Sequence, residues 1–132
     1  GAKSIEKMQA EAVKRAAPLW TLLEEIASGA PNPGDYTPAV REGAKSLVEL
    51  VKVRASQING CAYCLDMHTK DARAAGETEQ RLYALSAWRE TPFFSARERA
   101  ALAWAEAVTQ IAGGVPDAVY AEAREQFSEK EV

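Results

Sequence analysis

Apolar residues recur along this chain at three- and four-residue intervals, and strand-like alternation is absent. That period belongs to helices that bury one face. A first helix is predicted after Ser4, carrying Ile5, Met8 and Ala12 inward. Pro18 fits poorly inside a helix, so a break is expected near Ala16-Ala17. A second piece carries Leu19, Trp20, Leu22, Leu23 and Ile26, and the Pro- and Gly-rich stretch from Gly29 to Asp35 reads as a loop. Thr37 and Pro38 suit an N-cap and first turn. The helix they open should reach about Ile58 with Leu47, Leu50, Val51 and Ile58 as its stripe, and Asn59-Gly60 should stop it. A new helix is expected from Cys61 to Ala75, ended by Gly76. Thr78 then caps one that buries Leu82, Leu85 and Trp88. Past Pro92, Ser95 to Glu98 reads as a capping box. The helix behind it shows the stripe Ala101, Trp104, Ala105, Val108, Ile111 and Ala112, stopped by Gly113-Gly114. Pro116 starts a last helix toward Phe127. The pattern as a whole predicts an all-α bundle of about six to seven helices, with no repeat and no linker to divide residues 1–132 into domains.

Composition narrows the function classes. The 132 residues are 47% hydrophobic and 27% charged, which suits one globular domain. The net charge of −3, without a basic block, speaks against a nucleic acid partner or an acidic membrane surface. No apolar run approaches the roughly 20 residues that span a bilayer. The mixed, charged segment after Lys3 is unlike a signal peptide. The expected setting is cytoplasmic, where free thiols persist and a disulfide is more often catalytic than structural.

The scarce reactive residues are concentrated. Cys61, Cys64 and His68 are the only two cysteines and the only histidine, and they fall in C-A-Y-C-L-D-M-H. On a helix turning about 100° per residue, Cys64 lies about 60° from Cys61 and His68 about 40° from Cys64, so all three share a face. A helix N-terminus offers free amides and the positive end of the dipole, both of which favour the thiolate. His68, at i+4 from Cys64, is placed to take or relay its proton. Glu49 is the candidate partner of His68: if Asn59-Gly60 folds two helices antiparallel, the two stand at comparable heights, roughly 15 and 12 Å from the turn. The helical wheel favours a different role, with Glu49 near Lys45, Lys52 and Ser56 as a solvated acid paired with a lysine. Val48 and Val53, which flank it, mark a helix apolar on several sides.

The run from Glu49 to His68 resembles the signature of the alkylhydroperoxidase D (AhpD)/carboxymuconolactone decarboxylase superfamily: a glutamate, eleven residues, then C-x-x-C-x-x-x-H. The segments Thr69 to Glu79, Trp88 to Arg99 and Val115 to Tyr120 also resemble family sequence. The likeness covers about residues 38–129, with residues 1–35 a divergent helical segment. It implies an AhpD-like helical domain and a thiol-dependent peroxidase with no metal, haem or flavin. By the family pattern Cys64 is the peroxidatic cysteine and Cys61 the resolving one, and His68 and Glu49 relay protons. The implied partners are a hydroperoxide and a thiol reductant, which in the family can be a lipoyl-bearing protein. The implied assembly is a trimer or hexamer. Three features depart from the pattern: AhpD proper has a second histidine where Tyr63 stands, family sequences continue past the equivalent of Phe127 with a further apolar helix, and residues 1–35 match only loosely, with a Pro- and Gly-containing insertion.

Several readings stand beside this one. The cysteines could be small buried hydrophobes, or Cys61, Cys64 and His68 could hold zinc with a carboxylate or water as fourth ligand. The chain could be a non-enzymatic redox sensor or assembly subunit, or a decarboxylase-like enzyme acting on a small lactone. Tyr63 reads as a packing or pocket-lining residue. Arg54, inside an apolar stripe, reads as a structural ion-pair partner or interface residue. Trp20, Trp88 and Trp104 read as core or interface residues.

Overall fold

Why does the helix that opens at Pro38 run for 22 residues? It contains no proline after its first position, and apolar side chains emerge on several of its sides. The computed structural model describes residues 37–127. The two helices expected before residue 29, the loop to Asp35 and Trp20 lie outside the described residues. Helix α1 spans Pro38–Asn59, with Thr37 at the N-cap position but making no side-chain cap bond. Gly60 ends it at φ 63°, where a side chain would be strained. Its N–H donates to the Gln57 carbonyl at 3.3 Å, and the Cys61 N–H to that of Ser56 at 3.2 Å. This paired closure reverses the chain with the last carbonyls satisfied.

Helix α2 spans Ala62–Ala74 and ends in the same way: Gly76 has φ 95°, its N–H donates to Arg73, and that of Glu77 donates to Ala72. Helix α3 spans Glu79–Ala84, capped by the Thr78 hydroxyl, which accepts from the Arg81 N–H. The expected continuous helix breaks here. Leu85–Glu90 is a 3₁₀ segment in which Ala87 leaves helical geometry. The break nevertheless seats Leu85 and Trp88 in the core at 0% and 4% exposure. Helix α4 spans Ala96–Thr109 behind the expected capping box of Ser95 and Glu98. A short 3₁₀ turn covers Ile111–Gly113, and α5 spans Asp117–Gln126.

Helix α1 packs on both α2 and α4, and α4 packs on α5. The core gathers Leu50, Val53, Ala72, Leu82, Leu85, Trp88, Phe94, Leu102 and Ala103. Leu50, Leu85, Leu102 and Val53 are fully enclosed, each contributing about 1.5–3 kcal/mol from burial alone. Two predicted stripes are corrected. On α1, Val48 and Val53 are buried, whereas Val51 and Ile58 are only partly so. A helix clasped between two neighbours has no single inward face. On α4, the buried residues are Ala100, Leu102, Ala103 and Ala105, so of the expected stripe only Ala105 is buried. Val108 and Ile111 are 41% and 59% exposed. The small residues let α1 approach closely and turn Leu102 inward. The larger side chains are left outside, and Ile111 and Ala112 lie beyond the helix end.

Candidate active site

The turn at Gly60 delivers Cys61 to the N-cap of α2, where its sulfur accepts the Cys64 N–H at 3.3 Å. The two cysteines form a disulfide, with Cα atoms 5.3 Å apart, inside the range that bridges without moving the backbone. Both are half-buried, and Ala62 and Tyr63 between them are exposed. The bridge therefore sits at the rim of the bundle. Tyr63, at 76% exposure, corrects the expectation of a packing or pocket-lining residue: the tight loop closed by the disulfide turns position 63 away from the protein. With the sulfurs bonded to each other, the cysteines offer no zinc thiolates in this state.

His68 follows one turn after Cys64 on α2. Its Nδ1 lies 3.5 Å from Glu49 Oε2 across the α1–α2 interface, with side-chain exposures of 19% and 13%. The helix reversal at Gly60 is what brings these residues, nineteen apart in sequence, together. The lysine pairing read from the wheel is also present: Lys52 Nζ donates to Glu49 Oε1 at 3.3 Å. Each oxygen of Glu49 thus faces a different neighbour. Asp71, one turn beyond His68, places Oδ2 4.0 Å from the same Nδ1. Glu49 Oε2 and His68 Nδ1 are enclosed and have no hydrogen-bond partner within the usual limit. Donor atoms of Glu49, His68 and Asp71 all lie within 4.8 Å of one another, a cluster able to hold a metal ion. The sequence reading missed Asp71, although its i+3 spacing from His68 was available to find it.

Arg54 lies on a different side of α1 from this cluster. Its Nε donates to Glu106 Oε1 at 2.7 Å and its Nη1 to Gln57 at 3.0 Å. Glu106 also accepts from Trp88 Nε1 at 2.9 Å and from Arg89. Burial raises the pKa of the Glu106 carboxyl, but the bonds from Trp88, Arg89 and Arg54 outweigh it and hold the group below its ordinary value. Arg54 is thus a structural ion-pair partner, and Glu106 is a site the sequence reading did not single out.

An all-α domain with a Cys-x-x-Cys bridge at a helix start, and an acid–imidazole pair beside it, defines a recognisable class. The carboxymuconolactone decarboxylase family profile matches residues 38–107, and the chain belongs to that family. An uncharacterised protein of Bacillus subtilis, YdfG, is 54% identical over 84 residues, 63% of this chain and 57% of its own length. YnjA of Escherichia coli, also uncharacterised, is 34% identical over 70 residues, 53% of this chain and 38% of that protein. The chain therefore spans less than two thirds of either curated relative. A crystal structure of a protein of unknown function from Agrobacterium tumefaciens, suggested there to be the antioxidant defence protein AhpD, superposes with a TM-score of 0.64. That match has 38% identity and covers 85% of this chain and 70% of the other. The all-α, AhpD-like fold expected from the sequence is thereby shown. Among the described residues no helix is long and apolar enough to cross a membrane.

Proposed function

We propose that this chain is a thiol-dependent peroxidase of the AhpD type, cycling between a Cys61/Cys64 dithiol and the disulfide. The observation that carries the reading is a half-exposed bridge at the start of α2, with the His68–Glu49 pair one turn behind it. In the reduced protein the Cys64 thiolate attacks the outer oxygen of a hydroperoxide. The O–O bond breaks, Cys64 becomes a sulfenic acid, and the departing alkoxide takes a proton by way of His68. Cys61 then attacks the sulfenic sulfur, expelling water and closing the disulfide. Two electrons from an external dithiol, of which a lipoyl-bearing protein is one kind, reopen it. Glu49, 3.5 Å from Nδ1, orients the imidazole. A reducing compartment such as the cytoplasm and a homo-oligomeric state, trimer or hexamer, belong to the same proposal. The exposed Val108, Ile111 and Tyr120 support self-association.

Hydroperoxide turnover with dihydrolipoamide as donor tests the reading. Cys64→Ser is expected to abolish turnover, and Cys61→Ser to leave a sulfenic acid that a dimedone probe traps. Turnover at the wild-type rate in Cys64→Ser removes the peroxidase. A single stoichiometric oxidation without cycling identifies a redox sensor instead. Lactone decarboxylation that persists after both cysteines are replaced would identify the other chemistry named for the family.

A further inference from the structure

We infer that Glu49, His68 and Asp71 form a binding site for a divalent transition cation, with zinc as the test case, and that the cation silences the thiol cycle. The second half of this statement rests on the peroxidase reading; the first does not. Three donors converge from two helices: a carboxylate oxygen on α1, and an imidazole nitrogen and a second carboxylate one turn apart on α2. Two of the donor atoms, Glu49 Oε2 and His68 Nδ1, are enclosed without a hydrogen-bond partner, so no bond has to be broken to engage them. Asp71 is different, since its side chain is 58% exposed. It is free to swing onto an ion. Zinc bonds of about 2.0–2.1 Å in a tetrahedron put neighbouring donors roughly 3.3 Å apart. The Nδ1–Oε2 distance of 3.5 Å is already near that value; the Asp71 oxygen, 4.0 Å from Nδ1 in a cluster whose donors lie within 4.8 Å of one another, has to move inward by turning its exposed side chain. One nitrogen and two oxygens, with water in the fourth place, suit zinc. Lys52 is bonded to the other oxygen of Glu49, so it offsets part of the charge without occupying the donor that faces His68.

Binding takes the lone pair of Nδ1. The imidazole keeps one proton, on Nε2, and any proton on Nδ1 leaves to solvent. His68 can then no longer exchange a proton with Glu49, so peroxide reduction slows although neither sulfur is touched. The redox state of the cysteines does not change in this step.

The test uses the full chain in its disulfide form, which removes thiolates as competing ligands. Calorimetric titration with zinc chloride should show one equivalent bound. Asp71→Asn should weaken binding at least about tenfold, and the Nδ1 NMR resonance of His68 should shift on titration in the wild type, with the variant needing at least about tenfold more zinc for the same shift. Equal affinity in Asp71→Asn, or no stoichiometric binding by the wild type, overturns the site. Next, the single oxidation of pre-reduced, desalted protein by hydrogen peroxide is timed with and without zinc, with no added thiol to chelate the ion. Each protein is compared with its own zinc-free rate, and zinc should slow the wild type by a much larger factor than Asp71→Asn. Equal slowing of both proteins assigns the inhibition to zinc on the thiols and overturns the silencing. Absence of oxidation in every protein counts against the peroxidase and leaves the binding result standing.

Discussion

Glu49 and Glu106 are nearly matched in exposure, at 13% and 14% of the side chain. They stand on neighbouring helices, and their surroundings are opposite. Glu106 is held by Arg54, Trp88 and Arg89 at once. Glu49 has one lysine on Oε1, while Oε2 faces an imidazole nitrogen slightly beyond hydrogen-bond distance. A half-buried carboxylate with all its bonds made fixes the positions of its neighbours and strengthens the fold. One with a bare oxygen enclosed by protein carries a desolvation cost that folding alone does not repay. The contrast separates an acid whose bonds are all made within the fold from one that the proposed function uses for chemistry.

The largest effects should divide along that line. Glu49→Gln is expected to lower peroxide turnover by about 10²-fold and leave the fold within about 1 kcal/mol of wild type, since only the weak Lys52 pair is lost. Glu106→Ala should do the reverse. It leaves the guanidinium of Arg54, 18% exposed, without its carboxylate, which costs about 3 kcal/mol. A fall in melting temperature of roughly 10 °C or more would report it, with turnover per folded molecule retained. Urea unfolding and steady-state kinetics on the same two variants check both halves. If Glu49→Gln unfolds as readily as Glu106→Ala, the distinction between the two acids fails.

Acid should sharpen the difference. The carboxyls of Glu106 and Glu98 are both held below the ordinary glutamate value of 4.5. For Glu98, as for Glu106, burial acts upward and is outweighed, here by Arg81 and the Ser95 backbone. A group whose pKa is lower folded than unfolded adds stability that is present above the unfolded value. That stability is lost as pH falls through the folded one. The urea midpoint is therefore expected to hold steady down to about pH 5 and to drop below about pH 4.5. Glu106→Gln should start lower at neutral pH and fall less steeply in acid. An acid branch parallel to that of wild type would show that Glu106 takes no part in it.

Much of this was legible in the sequence, and the parts that were not share a cause. Caps and stops are local, so Gly60, Gly76, Thr78 and the Ser95–Glu98 box were read correctly from single residues or pairs. Bringing Glu49 to His68 needed only a rise per residue and a reversal at Asn59-Gly60. The lysine partner and the imidazole partner read as alternatives along one helix, yet both are present, because the two oxygens of a carboxylate point different ways. The α4 face was misread because its alanines carry almost no periodic signal. Which side such a helix buries is decided by the neighbour it approaches, and that neighbour lies more than forty residues away. The 3₁₀ break before Trp88 and the Trp88–Glu106 bond are likewise set by tertiary packing, which no local pattern encodes.

The smallest expected effect comes from Lys52, which sits on Glu49 much as Arg54 sits on Glu106 but is 34% exposed and makes a single contact at 3.3 Å. An ion pair of that kind contributes about 0–1 kcal/mol, screened by salt. Lys52→Met should therefore move the melting temperature by only a few degrees, roughly 4 °C or less, and by less still at high salt. Glu49 keeps its place between Val48 and Leu50 on α1 in the variant, and Oε2 still faces His68. Turnover should fall far less than in Glu49→Gln. If Lys52→Met instead costs as much stability as Glu106→Ala, the Lys52–Glu49 bond is a structural clamp, and the two acids differ only in the name of their cation.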